Sequence, residues 1–206
     1  MTTITTKMTN ETTWEQIKNA ALEIGAEVST TLKDGTPITF ELAALDVYGA
    51  KKVFVCKDCL PQEHAMNKTA TNKGGWKASG MRKYMEKLLE LLPDDLKAAI
   101  APRTIKQELD GEIVESTDAL WLPSVTEMFG PNSPGSDADV EDVHFPLYNT
   151  EKSRIKECDD HGTWWYWLRS PSRSYSHYFW IVNTTGGLNN YYGAYSSYGV
   201  CLGFCI

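Results

Sequence analysis

Residues 163–206 read TWWYWLRSPSRSYSHYFWIVNTTGGLNNYYGAYSSYGVCLGFCI. Seven of the ten tyrosines and four of the seven tryptophans of the chain fall in this stretch. Between Ser170 and Gly199 the only formal charge is Arg173, although 23% of the chain is charged. Lys, Glu, Asp, Gln and Met are absent from that interval, which is filled by Tyr, Ser, Asn, Gly and Thr. Tyr offers a large amphipathic surface with few rotors to freeze, and Ser, Gly and Asn offer adaptable hydrogen bonds. The composition is that of a binding face. Apolar aliphatics are scarce from Tyr191 to Tyr198, and a run such as YYGAYSSY could hardly find an internal partner for every hydroxyl if it were core.

Working outward, the ends of the segment look structural. In Gly199–Ile206 the residues Val200, Leu202, Phe204 and Ile206 share one side of an extended strand, with Cys201, Gly203 and Cys205 on the other. That pattern ties this stretch into a sheet. Phe179–Asn183 and Leu188–Tyr192 flank the turn residues Thr184-Thr185-Gly186-Gly187 and read as a hairpin. Upstream, Thr12 or Thr13 caps a helix carrying Trp14, Ile17, Ala21 and Ile24 on one face, ended by Gly25. One apolar stripe predicts that this helix lies on a sheet. Ile38, Phe40 and Leu42 alternate with polar residues, and Lys51–Cys56 is the partner strand across Tyr48-Gly49-Ala50. Residues 58–75 read as loop. Ser79 caps the clearest helix, with Met81, Tyr84, Met85, Leu88, Leu89 and Leu92 on one face, and Pro93 stops it and starts a short second one. Arg103–Ile113 is strand around the Asp110-Gly111 turn, Leu120–Leu122 a short buried strand, and Ser124 with Glu127 a capping box.

The whole-chain numbers set bounds. At 206 residues, one α+β domain over 12–206 is expected, preceded by a flexible, Thr-rich segment 1–11. A net charge of −7 without any basic cluster argues against nucleic acid or an anionic membrane as partner. No apolar run is long enough to span a bilayer. The polar start MTTITTKMTNETTW lacks the apolar core of a secretory signal, which predicts synthesis in the cytoplasm. Five cysteines, an odd number at irregular spacing, predict free thiols.

The run Trp164-Trp165-Tyr166-Trp167-Leu168-Arg169-Ser170-Pro171 resembles the WWLRSP signature of a large bacterial and phage domain family. Phe179-Trp180, Val182-Asn183, Gly186, Gly199-Val200 and Gly203-Phe204 fit its spacing, as do Gly75-Trp76 and Trp121-Leu122-Pro123-Ser124 with Glu127. Within that family the chain resembles the variable proteins of diversity-generating retroelements. The resemblance implies a C-type-lectin-like fold: two main helices on short, mostly antiparallel strands, with the C-terminal strand tied into the sheet. It also implies a ligand-binding region, about 166–198, that is rewritten at template adenines, most often in Asn codons. Such rewriting never yields Lys, Glu, Gln, Met or Trp, which agrees with the residue types missing at the candidate positions. The ligand-binding positions it implies are Tyr166, Tyr175, His177, Tyr178, Ile181, Thr185, Gly187, Asn190, Tyr191, Tyr192, Tyr195, Ser196 and Tyr198.

The expected function is non-catalytic binding of a protein or glycan on a target cell surface, in phage–host attachment or surface display, with homo-oligomerisation adding avidity. A virion component is the expected setting, with a bacterial cell-associated protein as the alternative. The rival readings are a formylglycine-generating-type oxidase and a carbohydrate-binding module. No catalytic residue, metal ligand or cofactor is expected. Cys56-Lys57-Asp58-Cys59 has only half the spacing of a zinc site and reads as two surface or semi-buried thiols. Cys201 and Cys205 lie about 13 Å apart if the strand is extended, too far for a mutual disulfide. Asp137, Asp139, Glu141 and Asp142 read as a solvated acidic loop, with a lectin-like calcium site as the alternative. Arg169 reads as a brace for the backbone where the binding segment leaves the core.

Overall fold

The computed structural model describes residues 12–158 and 161–206. The segment 1–11, expected to be flexible, lies outside the described residues, as do Asp159 and Asp160. The fold is mixed α/β, with six helices and several small antiparallel sheets among the described residues.

The central sheet has the order β1 (Glu27–Thr31), β2 (Pro37–Val47), β3 (Ala50–Cys56), β14 (Gly203–Cys205), all antiparallel. The expected hairpin forms: β2 and β3 are joined by Tyr48 at φ 56° and Gly49 at φ 72°. Two positive φ values in a two-residue loop match the right-handed twist of the strands they join. The last strand sits beside β3, with Gly203 opposite Val55 and Cys205 opposite Val53. Phe40, Phe54 and Phe204 from three neighbouring strands pack edge-on against Trp14 of α1 (Trp14–Asn19) at 5.5–6.0 Å between ring centres. The first helix therefore lies on the sheet, as its single apolar stripe requires.

That helix is shorter than expected. Thr13 and Gln16 form the capping box, but α1 ends at Asn19 rather than near Gly25. Gly25 instead donates its N–H to Leu42 O, and Leu42 returns one to Ala26 O, each at 2.9 Å. Pairing with β2 competes with the remaining helical turns and wins, while Leu22 and Ile24 still pack on the core.

The second helix behaves as its period predicts. α3 (Gly80–Leu91) follows a short α2 (Gly75–Ala78), is capped by Ser79 Oγ accepting from Arg82 N at 3.0 Å, and buries Met81, Met85 and Leu88. Asp94–Ala99 follows as α4, begun by Pro93. β5 (Arg103–Leu109) and β6 (Glu112–Asp118) form a hairpin around Asp110 at φ 52° and Gly111 at φ 84°. Ser124 and Glu127 cap α5 (Val125–Phe129) reciprocally. Trp121 is bridged to Gly203, whose missing Cβ would stand 2.7 Å from the Trp121 ring, so only glycine lets this tryptophan lie flat on the final strand.

The Pro-, Gly-, Ser- and Asp-rich segment 130–142, which by composition reads as an exposed loop, is one only in part: Pro131, Asn132 and Pro134 are exposed, but the residues after them are structured. It contains a 3-10 turn at Ser136–Ala138 and a short strand, β7 (Asp139–Val140), which pairs with β5, and further on β8 (Glu157–Cys158) pairs with β9 (Gly162–Thr163).

Candidate functional site

The tyrosine-rich segment starts from a buried strand. β10 (Tyr166–Pro171) is buried at every position and pairs with β11 (Phe179–Val182), which pairs with β12 (Leu188–Asn189). Arg169, on β10, is fully buried. Its Nη1 donates to Glu127 Oε2 at 2.6 Å and to Leu122 O at 2.6 Å, and its Nη2 donates to Glu127 Oε1 at 3.0 Å and to Asp142 Oδ2. Arg103 joins from β5, donating to Glu127 Oε1 at 2.6 Å and Asp142 Oδ1 at 2.7 Å. The Arg103 guanidinium lies 3.4 Å from the Tyr48 ring centre, and the Tyr48 hydroxyl donates to Glu127 Oε1 at 2.8 Å. Arg169 thus braces the strand that leads into the tyrosine-rich segment, and it does so with charge-assisted, partly bidentate bonds.

This corrects the reading of the acidic loop as solvated. Asp142 is an ion-pair partner of both arginines. Asp139 accepts from Ser170 Oγ at 2.7 Å and from Thr126 N at 3.1 Å. Asp137 and Glu141 face Arg173 and Lys106 nearer the surface. Among the described residues no group of three or more His, Cys, Asp or Glu is arranged to hold a metal.

Burial alone would raise the Glu127 carboxyl, but the Arg169 and Arg103 guanidiniums outweigh it and hold it down at about 2. Burial and the neighbouring Asp142 charge push Asp139 up to about 7, against Arg169. With Asp139 protonated, two guanidiniums face two carboxylates and the cluster is neutral. The native state keeps the Asp139 proton that an unfolded chain releases near 3.8. Stability is therefore expected to fall as pH rises from about 4 to 7, by on the order of 4 kcal/mol, and then to level off. Glu127 acts with the opposite sign, its contribution being lost as pH falls below the ordinary value of 4.5 toward 2. Melting curves at pH 5 and pH 8 should show this loss in the natural chain and not in Asp139→Asn; parallel curves for the two would refute the assignment.

The cysteines are free and buried, which corrects the expectation of surface or semi-buried thiols at Cys56 and Cys59. The Cys201 thiol donates to Cys56 O at 3.0 Å. Burial pushes Cys205 up to about 12. Cys59 and Cys158 flank Gly199, where a Cβ would come within 2.5 and 2.8 Å of their sulfurs.

The candidate contact residues divide into three groups. Tyr191 is 75% exposed, Tyr195 61%, Tyr175 52% and Tyr192 40%. His177, Tyr178, Asn190, Ser196 and Tyr198 are half-buried around them. Tyr175, His177 and Tyr178 form one aromatic group, with His177 and Tyr178 4.0 Å apart between centres. Tyr192 and Tyr198 form another with Trp165, at 5.1–6.2 Å. A backbone bridge between Tyr178 and Gly193 joins the two. Thr185 is exposed and Gly187 half-buried, in the tight turn whose Gly186 packs on Glu151 of α6 (Glu151–Arg154).

Tyr166 and Ile181 contradict their assignment as contacts: both are fully buried. The Tyr166 hydroxyl is spent on Arg154 O at 2.7 Å, and Ile181 lies on β11, between two partner strands. Sequence reasoning also missed Trp165, which it left among the signature residues, and the whole segment 64–72. β4 (His64–Ala65) pairs with β13 (Ser197–Tyr198), and Asn67 N donates to Ala194 O at 2.8 Å. A cleft of about 640 Å³ beside Tyr175 is lined by Thr71–Gly74 and Ser172–Ser174. Nothing local in the polar sequence 64–72 announces these contacts, because each one is made to residues more than a hundred positions away.

The geometry defines an α/β domain that displays aromatic and small polar side chains from a backbone fastened underneath. By sequence, the chain belongs to the family described as a domain of unknown function (DUF6273), whose model matches residues 50–206. No curated protein and no solved structure matches the chain.

Proposed function

We propose that this is a non-catalytic binding protein. Its ligand face comprises Tyr175, His177, Tyr178, Asn190, Tyr191, Tyr192, Tyr195, Ser196 and Tyr198, with Thr185 and Gly187 at its margin. The fold is C-type-lectin-like and the face is diversified by a retroelement. Its target is a protein or glycan on a cell surface, met in phage–host attachment or surface display.

The observation that carries the reading is the exposure of four tyrosines on one uncharged segment. An aromatic patch of this kind on a monomer marks an interaction surface. Support also comes from the backbone below it, which is held mainly by main-chain bonds and by residues outside the segment. Side chains of such a face can change without unfolding the domain.

A display library randomised at Tyr175, His177, Tyr178, Asn190, Tyr191, Tyr192, Tyr195 and Ser196 tests this. Most members are expected to fold, with melting temperatures within about 5 °C of the parent, and selection should return binders to unrelated protein targets. A library that mostly aggregates, or folds and yields no binders, would sink the reading. In the neighbouring DNA, an imperfect repeat of the codons for residues 170–206, differing only at adenines beside a reverse-transcriptase gene, would establish the diversification.

A further inference from the structure

We propose that Asn72 is the positioning residue of the binding face, fixing the backbone of residues 172–178 whatever side chains that loop carries. The words "binding face" rest on the function proposed above; the positioning itself does not. The Asn72 side-chain nitrogen donates to Ser172 O at 2.7 Å, Tyr178 O at 2.8 Å and Tyr175 O at 3.0 Å. An amide has two hydrogens, so one of them is shared between two of these carbonyls. The Asn72 backbone N–H donates to Ser176 O at 2.8 Å. One residue therefore satisfies four carbonyls of a seven-residue loop. A fifth, that of His177, accepts from Ala194 N at 2.9 Å, and the loop closes on itself through Ser172 N to Tyr178 O at 3.0 Å.

None of these bonds uses a side chain of the loop. Asn72 itself is only 9% exposed, and its own carbonyl accepts from Gly75 N at 2.9 Å. It sits on the fixed segment that also holds the second half of the face, through Asn67 N to Ala194 O and through β4 to β13. Aspartate in its place keeps the shape but loses both hydrogens and turns a carboxylate toward three carbonyls. Alanine leaves the same carbonyls without a donor. A longer side chain would carry its nitrogen away from the one point that lies within 2.7–3.0 Å of all three acceptors.

The rival account is that the rings hold the loop, since Tyr175, His177 and Tyr178 touch one another. Amide hydrogen exchange of the full chain separates the two. In Asn72→Asp and Asn72→Ala, exchange at Ser172, Tyr178 and Ala194 is expected to quicken at least about tenfold, while amides of β2 and β3 keep their protection. In the triple substitution Tyr175→Ser, His177→Ser, Tyr178→Ser with Asn72 intact, the same amides should stay within about threefold of the parent. Loosening of the loop by the triple substitution as large as that from Asn72→Ala would overturn the proposal. So would an Asn72 variant whose central sheet exchanges as fast as its loop, since Asn72 would then be a general core residue. A loop that behaves as expected in a protein for which no selected ligand exists would leave Asn72 in place and remove the binding reading alone.

Discussion

Replacing Glu127 by alanine is expected to cost about 3–5 kcal/mol of folding stability, the range for removing one partner from a buried ion pair. The substitution leaves Arg169 and Arg103, both buried, sharing Asp142 alone. It also deletes the acceptor for Ser124 N at 2.9 Å and for the Tyr48 hydroxyl at 2.8 Å. An ordinary domain has about 5–15 kcal/mol in total, so the variant will fold marginally or not at all at 37 °C. Urea unfolding at pH 7 measures the loss. Removing a charge of each sign, with Glu127→Leu and Arg169→Met together, should cost less than Glu127→Ala alone, because Arg103 and Asp142 remain as a balanced pair. A loss below about 1 kcal/mol for Glu127→Ala would mean that water screens the cluster as it screens a surface pair.

Substituting Tyr191 and Tyr195 together by alanine should act on the opposite quantity. Affinity for a target selected on this face is expected to fall about 100-fold, as for two interface tyrosines worth somewhat over 1 kcal/mol each. The melting temperature should move by no more than about 2 °C, because exposed side chains carry little stability. Tyr191 is 75% and Tyr195 61% exposed, and the Tyr195 ring lies over Gly193, where a Cβ would approach it to 2.6 Å. Titration calorimetry beside a thermal melt reads both numbers. Unchanged affinity would place the contact surface elsewhere; a melting temperature lowered by 10 °C or so would make the rings part of the fold.

Local chemistry was legible wherever it decides the structure. Ser79, the Ser124–Glu127 box, the Tyr48-Gly49 and Asp110-Gly111 turns and the period of α3 all act over a few residues, and all appear as read. The final strand was legible because its alternation survives in Val200, Leu202, Phe204 and Ile206. Failures came where a distant partner decides. Asp139 and Asp142 look like loop residues until Ser170 and Arg169 stand beside them. Tyr166 and Ile181 were misplaced because β10 is covered on both faces and β11 lies between two strands, so alternation no longer tells inside from outside. The exposed tyrosines were identifiable from composition alone, since a run rich in Tyr, Ser and Asn and poor in aliphatics cannot be a core. Their fastening to residues 64–72 was not.

The position of β14 carries a last consequence. Residues 203–205 close the central sheet against residues 53–55, so one edge of β3 stays bare until nearly all of the chain described here has left the ribosome. Pairing across about 150 residues is slow to form and cannot begin early. Every codon of the tyrosine-rich segment is translated before that strand. A premature stop or a slipped reading frame within 175–198 would therefore yield a chain that never completes its sheet, while an in-frame change of residue would not. The order of synthesis thus separates a chain carrying a changed side chain in that segment, which can still close its sheet, from a truncated or frame-shifted one, which cannot.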